Sequence, residues 1–337
     1  MNKSTIWQQL LTTARFKITT EQPSTSLSIH PLDYQSLIQV KGVDSEKFLQ
    51  GQLSCDMREV VEDGSRLAAH CNPKGSMISL MRVIKATDSF CLRLNNQSID
   101  TALSTLNKYI MFSKAQTSDL QDQWIGFGIQ GGDATAMLQQ YFLQLPKADN
   151  QVFISSDELL VKVPGERYEL WLKHERAVNW LADKKVQEHL SSSDHWLQQE
   201  IINAIPDIYP PSSTTYLPQM CNLQALDGVS FKKGCYTGQE IVTRLHFRGK
   251  LNKHLLTAKL TSDNVDRSIV IGSDIDCAQR AKIAKVLQHV TIGNQTFVQL
   301  VINVKYATEP LFTEAGLALK TLPSPYDLDP SLFVRKD

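Results

Sequence analysis

Apolar residues recur along the chain with two different periods, and the switches between them divide it into elements. Leu37, Ile38 and Val40 form a short apolar run that predicts a strand ending at Gly42. Asp44 stands where a helix cap would, ahead of Glu46, Phe48 and Leu49, with Gly51 as a stop. RLAAHC and SMISLMRVIK are two strand-like runs joined by Asn72-Pro73-Lys74-Gly75, a turn composition that predicts a hairpin. FCLRL alternates as a strand. Ser98 then precedes a helical face of Ile99, Ala102, Leu103, Leu106, Tyr109 and Ile110.

A second block repeats this mixture. WIGFGIQ reads as a strand, with Asp133 opening a short helix. LLVKV and YELWL flank Pro164-Gly165 as a second hairpin, and helices are predicted over Glu175–His189 and Trp196–Ala204. IPDIYPPSSTTYLPQ is polar and proline-rich, a loop or an arm wrapping the surface. Past residue 250 the helical period disappears. HLLTAKL, SIVI, IAKVLQHVTI and TFVQLVINV are short β-like runs separated by turn residues, the pattern of a small all-β domain. The chain therefore reads as α+β over residues 1–248 with a β domain over 249–337.

Composition narrows the classes. Of the 337 residues, 42% are hydrophobic, enough for a sizeable core, and the 35 basic and 35 acidic residues cancel. A neutral chain is not a bulk binder of nucleic acid, although a local basic patch is compatible with it. The first residues, MNKSTIWQQLLTTARFK, read as an amphipathic helix and not as a signal peptide. No stretch approaches the roughly 20 apolar residues of a membrane span, so a cytoplasmic protein without membrane contact is expected. The six cysteines form no CxxC pair and show no metal-ligand spacing, so no metal site is expected.

Four features are candidates for chemistry. Gly126-Phe-Gly-Ile-Gln-Gly131 matches GxGxxG, but its first two glycines fall inside a strand and not in the turn after it, so close packing explains them better than a dinucleotide. Lys74 and the amides of its turn either close a hairpin or face an acidic ligand group. Trp196, with Ile201, Ile202 and Ile205 near it in sequence, is either core or a ring that stacks on a flat heterocycle. The fourth is Phe231-Lys-Lys-Gly-Cys-Tyr-Thr-Gly-Gln-Glu240. Thr237-Gly-Gln-Glu240 fits a capping box, which would start a helix just after Cys235. A helix N-terminus beside Lys232 and Lys233 favours thiolate over thiol, and Gly234 and Gly238 would leave the sulfur approachable. His246 or His254 is a candidate base. The alternative is a buried cysteine in a tight turn.

FKKGCYTGQE resembles the signature K-G-C-[FY]-x-G-Q-E of the YgfZ family, a folate-binding group related to the T protein (aminomethyltransferase) of the glycine cleavage system. Lys233, Gly234, Cys235, Tyr236, Gly238, Gln239 and Glu240 carry the match. GVDSEKFLQGQLSCD, AAHCNPKGSM, LNKYIMFSK and the long run from PQMCNLQALDGV to RLHFRGKLNKHLL also resemble family segments, in order, over most of the chain. The resemblance implies a T-protein-like core of ferredoxin-like α+β subdomains followed by a C-terminal β-barrel. It implies binding of tetrahydrofolate or a derivative. It also implies a role in iron–sulfur cluster assembly or repair, serving enzymes such as tRNA methylthiotransferases, with a link to replication-initiation control. Cys235 takes the place of the family's essential thiol. Trp196 takes that of a folate-contacting tryptophan, and a second contact falls at Gln35 or Tyr34. Lys74 and Asn222 complete the expected folate-binding set.

Two departures bear on activity. The T protein carries an acidic residue just after the Asn72–Gly75 turn, where Ser79 and Leu80 stand here. Its relatives also hold the pterin with a glutamate at a place that falls on Ile202. A folate-binding accessory factor, not a classical enzyme, is therefore expected, with one-carbon transfer as the alternative. Direct tRNA binding through the basic, aromatic run Arg244–His254 is a third possibility; the tRNA connection is expected to be indirect.

Overall fold

The computed structural model describes residues 26–262 and 268–334, together with Trp7, Leu10 and Ile18. The predicted N-terminal helix lies outside the described residues, apart from Trp7 and Leu10, which are buried. In chain order the strands are β1 (Ser28–Pro31), β2 (Gln35–Lys41), β3 (Ser65–Cys71), β4 (Met77–Lys85), β5 (Ser89–Asn95), β6 (Gln116–Asp119), β7 (Trp124–Gln130), β8 (Val152–Ile154), β9 (Glu158–Val163) and β10 (Arg167–Lys173). Then follow β11 (Lys253–Thr261), β12 (Asp274–Cys277), β13 (Arg280–Ile292), β14 (Gln295–Asn303), β15 (Leu311–Thr313) and β16 (Ala318–Thr321). The chain divides into two compact units, the first comprising Met1–Leu49, Met57–Arg66 and Met81–Trp196, the second Gln50–Asp56, Leu67–Leu80 and Leu197–Asp337.

In the first unit an antiparallel sheet runs β1-β7-β10-β9-β8. Its two faces follow from the two-residue period of a strand. Ile125, Phe127 and Ile129 of β7 and Tyr168, Leu170 and Leu172 of β10 enter one core with Trp7, Trp180 and Leu181. Phe127 sits edge-on to both Trp7 and Trp180, with centroids 5.1 and 4.8 Å apart. On the opposite face, Gly126 and Gly128 of β7 leave room for indoles. A Cβ on Gly126 would fall 2.7 Å from the Trp171 ring, and one on Gly128 2.3 Å from Trp196. The glycines of the GxGxxG match therefore make space for tryptophans, as their place inside a strand requires.

The other sheet has the order β3-β4-β5-β2-β6. Helix Ile99–Ile110 buries Ile99, Ala102, Leu106 and Ile110. Leu103 and Tyr109, expected on that face, are not buried, and Tyr109 is 42% exposed. Neither Ser98 nor Asp133 makes the expected side-chain cap bond, and the Asp44 carboxylate accepts from the Lys114 amide. The single helix expected over Glu175–His189 is two, His174–Leu181 and Lys184–Gln187, because Asp183 takes an extended conformation and caps the second.

In the second unit the C-terminal strands close a barrel, β11-β14-β13-β12-β15-β16, around Val286, Val298, Leu300 and Ile302. The proline-rich segment does not wrap the surface. Ile205, Ile208, Tyr209 and Tyr216 are buried, and it exchanges backbone bonds with β4, Met77 N–H to Tyr216 C=O at 2.8 Å and Thr214 N–H to Met77 C=O at 2.7 Å. Its apolar residues were legible; its backbone partners, distant in sequence, were not.

Candidate functional site

The KGCYTGQ loop is fixed from three sides within the second unit. The Lys233 ammonium is buried and donates to the carbonyls of Gln50, Leu53 and Cys55 at 2.7, 2.6 and 2.7 Å. Gln50 lies in the last turn of helix Ser45–Gln52, where carbonyls are left without helical partners and the dipole favours a cation. The Thr237 amide donates to the Gly51 carbonyl at 3.1 Å. The same segment is held from below by Ser54, whose Oγ accepts from the Ala69 amide at 2.8 Å and donates to the Gly228 carbonyl at 2.5 Å.

The second support is a contact of two backbones. Gly238 has φ +83°, and a Cβ there would lie 2.4 Å from the Asn72 carbonyl oxygen and 2.8 Å from the Gly75 Cα. Gly75, with φ +77°, would reciprocally press on Ile241 and on the Gly238 carbonyl. Both glycines are required by conformation and by proximity. The Asn72–Gly75 turn thus serves as the bed of the cysteine loop. Its amides are satisfied internally: Asn72 Oδ1 accepts from Lys74 and Ser76, and the Asn72 carbonyl accepts from Gly75. Only the exposed Lys74 side chain, not the turn amides, faces outward.

The expected capping box is not formed. The helix runs Gln239–Arg248 with Gly238 at its N-cap and no side-chain cap bond. Glu240 is solvent-facing, 3.9 Å from Arg244. The left-handed Gly238 required by the turn contact moves the helix start past Thr237. Gln239 instead closes the loop, its Nε2 reaching the Gly234 and Lys233 carbonyls at 3.4 and 3.5 Å. Of the three features from which a thiolate was argued, the helix starts later than expected, Lys233 is engaged by the three carbonyls, and Lys232 is exposed. Neither candidate base reaches the sulfur by a hydrogen bond. His246 stacks on Phe231 at 3.7 Å, and His254 donates through Nδ1 to the Leu255 carbonyl at 3.0 Å.

Cys235 is nevertheless distinct among the cysteines, being exposed where the other five are buried. Burial pushes the Cys71 and Cys91 thiols up to about 12, so neither is a nucleophile at neutral pH. Tyr236 points inward, and burial, with Cys71 and Cys55 beside it, raises its hydroxyl further. Gly234 has open space where a Cβ would be. Lys233, Thr237, Gly238 and Gln239 hold the loop, Tyr236 packs inward, and Cys235 is on the outside. Among the described residues, no group of three or more His, Cys, Asp or Glu side chains is placed to hold a metal ion.

The residues expected at folate lie in the first unit, apart from Lys74 and Asn222. Trp196 is fully buried, its ring against Gly128 and 4.9 Å from the Arg167 guanidinium carbon. With its ring so enclosed, it presents a donor: the indole N–H is buried without a partner. Tyr34 and Gln35, between β1 and the body of β2, are buried, and the Gln35 Oε1 is likewise without a partner. These orphaned atoms, one donor and one acceptor, fit the polar edge of a pterin, which presents both kinds of group. Asn222 is tied elsewhere. At φ 57° it accepts from the Leu255 amide and donates to the Leu255 carbonyl, both in β11, and it lines a cavity of about 240 Å³ with His254 and Tyr326.

Three buried polar features escaped sequence reading. His30 donates through Nδ1 to the Ser192 carbonyl, so its Nε2 accepts from Ser28 in the neutral ring; burial pulls its pKa down to about 4. Glu169 on β10 receives both Nε and Nη2 of Arg93, at 3.2 and 2.8 Å, with Arg82 Nε 3.7 Å away. Burial pushes its carboxyl up, but Arg93 and Arg82 outweigh that and hold it below the ordinary range. Glu200, a second carboxylate, is buried on the helix Ser193–Ile202. Charged residues inside the apolar runs RYELWLK, SLMRVIK and FCLRL were the available signal for the Glu169 cluster.

Comparison with known proteins places this geometry. The family model described as the GCVT N-terminal domain matches residues 24–163. The glycine cleavage system aminomethyltransferase T from Bartonella henselae superposes with a TM-score of 0.68 over 95% of this chain and 96% of its own, at 15% identity, which establishes a shared fold. The tRNA-modifying protein YgfZ of Escherichia coli is 35% identical over 321 residues, 91% of this chain and 97% of that protein. Its counterpart in Shigella sonnei shows the same identity and coverage. With the cysteine loop intact and the match spanning nearly the whole length of both proteins, the chain belongs to the YgfZ family.

Proposed function

We propose that this protein is a cytoplasmic, folate-binding accessory factor in tRNA modification, acting through the Cys235 thiol. The observation that carries the reading is the loop itself: Lys233, Thr237, Gly238 and Gln239 hold one cysteine outward over the Asn72–Gly75 turn, in a chain whose relatives are named tRNA-modifying proteins. A thiol so displayed meets a macromolecular partner without needing a cleft. We assign that partner to the iron–sulfur enzymes of tRNA modification, methylthiotransferases among them, with the cluster as cargo. One thiolate cannot complete a cluster's ligand set, so the partner must supply the others. The link to replication-initiation control would follow from the same service to client enzymes.

Tetrahydrofolate would be taken by the core, residues 1–248, with the barrel over 249–337. The Trp196 N–H would donate to it and the Gln35 Oε1 accept from it, beside Tyr34. When bound, it would supply a reduced, one-carbon-carrying pterin. Aminomethyl transfer is disfavoured because Ser79, at the place of the T-protein acid, is buried and carries no charge. The helical part of the run Arg244–His254 does not favour a direct tRNA contact, since His246 is stacked on Phe231 and Arg244 faces Glu240.

The test is complementation in bacteria lacking their own YgfZ, read as methylthiolation of tRNA. Restoration by the parent and failure of Cys235→Ala is expected. Equal restoration by both would remove the thiol from the mechanism.

A further inference from the structure

The barrel carries a cationic cleft that the neutral net charge conceals. Lys253 of β11, Arg280, Lys282 and Lys285 of β13, and Lys305 and Tyr306 just after β14 line a cavity of about 210 Å³. All five cations are exposed. The register brings them together: Lys253 pairs with Asn303, and Lys285 with Val301, so three neighbouring strands present their charges to one place. Asp274 is the counter-charge, 3.5 Å from Lys282 and 2.7 Å from Lys285. Asp276 accepts from the Lys282 amide, and Glu309 accepts from Gln279. No carboxylate of the described residues pairs with Lys253, Arg280 or Lys305. Tyr306 lies among these cations, its ring centroid 6.0 Å from the Arg280 guanidinium carbon and 5.6 Å from Lys305 Nζ.

We propose that this cleft is a binding site for the sugar–phosphate backbone of RNA, with Tyr306 as a platform for an unstacked base. Cations distributed over three strands, and not converging on one point, match a row of phosphates better than a single anion. A mononucleotide site would use a helix N-terminus or a nest of backbone amides, and the cleft is built of strands and one short 3-10 turn. An aromatic ring among cations is the pairing by which proteins hold splayed bases and the phosphates beside them. This site goes beyond the proposed thiol function and uses neither folate nor Cys235.

The test is binding of an unmodified tRNA transcript to the purified full chain, followed by fluorescence polarisation between 50 and 200 mM salt. With three to four phosphates neutralised, affinity should fall on the order of 10²-fold across that range. Lys253→Ala/Arg280→Ala/Lys305→Ala should weaken binding at least about tenfold at low salt and flatten the salt slope by about three contacts. Tyr306→Leu should weaken binding with the slope unchanged. Arg244→Ala/Arg248→Ala, outside the cleft, should bind as the parent does. Should the triple variant not fold, Lys305→Glu alone must reduce both affinity and slope. The proposal is overturned by absence of salt-dependent binding in the parent, by triple and single variants that bind like the parent, or by displacement with inorganic phosphate or polyglutamate as readily as with RNA. Because the readout is direct binding, its failure leaves the complementation result untouched.

Discussion

Replacing Lys233 by methionine tests whether the cysteine loop is held by a buried ammonium. Methionine nearly preserves the length and apolar volume of the stem and removes three donors. The carbonyls of Gln50, Leu53 and Cys55 would then lose bonds of 2.6–2.7 Å, those of Leu53 and Cys55 in a buried site. An unsatisfied buried acceptor costs about 1–3 kcal/mol, so three cost roughly 3–9. Relief from desolvating the ammonium offsets several kcal/mol, and water can reach the half-buried Gln50. The expected net loss is about 3–5 kcal/mol, near the upper limit for a single substitution. It should be read by urea denaturation and by hydrogen exchange at Thr237, whose amide bonds Gly51 in the same contact. Lys233→Arg should not restore stability, because a planar fork cannot aim at three converging carbonyls. Both variants should fail complementation with Cys235 intact. A Lys233→Met protein within about 1 kcal/mol of the parent and with unchanged Thr237 exchange would refute the reasoning.

Three further outcomes are expected. Gly128→Ala places a methyl 2.3 Å from a fully buried indole and should lower stability by about 3 kcal/mol or more, whereas adding Trp196→Leu should recover most of the loss in thermal melts. Glu169→Gln leaves Arg82 and Arg93 without their shared counter-charge and should cost about 3–5 kcal/mol in denaturant titrations; a neutral result would mean the two arginines are compensated by other groups. His30 and His70 each have a folded pKa of about 4 against 6.5, so the unfolded chain binds more protons between those values. Stability should therefore be full above pH 6.5 and fall as pH drops toward 4, by roughly 3 kcal/mol per histidine. His30→Gln should flatten part of that fall, and an unchanged pH profile would contradict the burial.

What could be read from the chain without coordinates was whatever is local. The two-residue period placed β7 and both hairpins, and the position of Gly126 and Gly128 inside a strand already argued for packing over a dinucleotide. The Asn72–Gly75 turn followed from Pro and Gly alone. Features set by distant neighbours were not legible. The Thr237 capping box satisfied every local rule and was overridden because Gly238 must approach the Asn72 carbonyl. The barrel cleft draws on cations scattered from Lys253 to Lys305, of which only Lys253 falls in the basic run read from the sequence. Lys233 was read as a charge favouring the Cys235 thiolate, because three converging carbonyls leave no trace in sequence.

These displacements change what the cysteine motif means. Read as a string, two lysines, two glycines and a helix start look like activation of a sulfur by nearby positive charge. In the structure one lysine is a plug for a helix end, one glycine is a contact between backbones, the tyrosine is buried, and the glutamine closes the loop. Removing the lysine, the glycine or the glutamine contact, or the bulk of the tyrosine ring, would move the sulfur and not merely change its charge environment. The motif therefore specifies position before reactivity, and a thiol whose position matters is one that must be met by something else. A nucleophile acting on a small molecule would need a base and a pocket, and no imidazole of the described residues is hydrogen-bonded to Cys235. An outward thiol held over the Asn72–Gly75 turn fits attack on, or ligand donation to, a group carried by a partner protein, with selectivity set by docking. Tyr236→Phe separates the two views: it keeps the packing and removes only an unpartnered hydroxyl, so complementation should survive it, whereas Gly238→Ala, which forces the loop off its bed, should abolish function with the thiol still present.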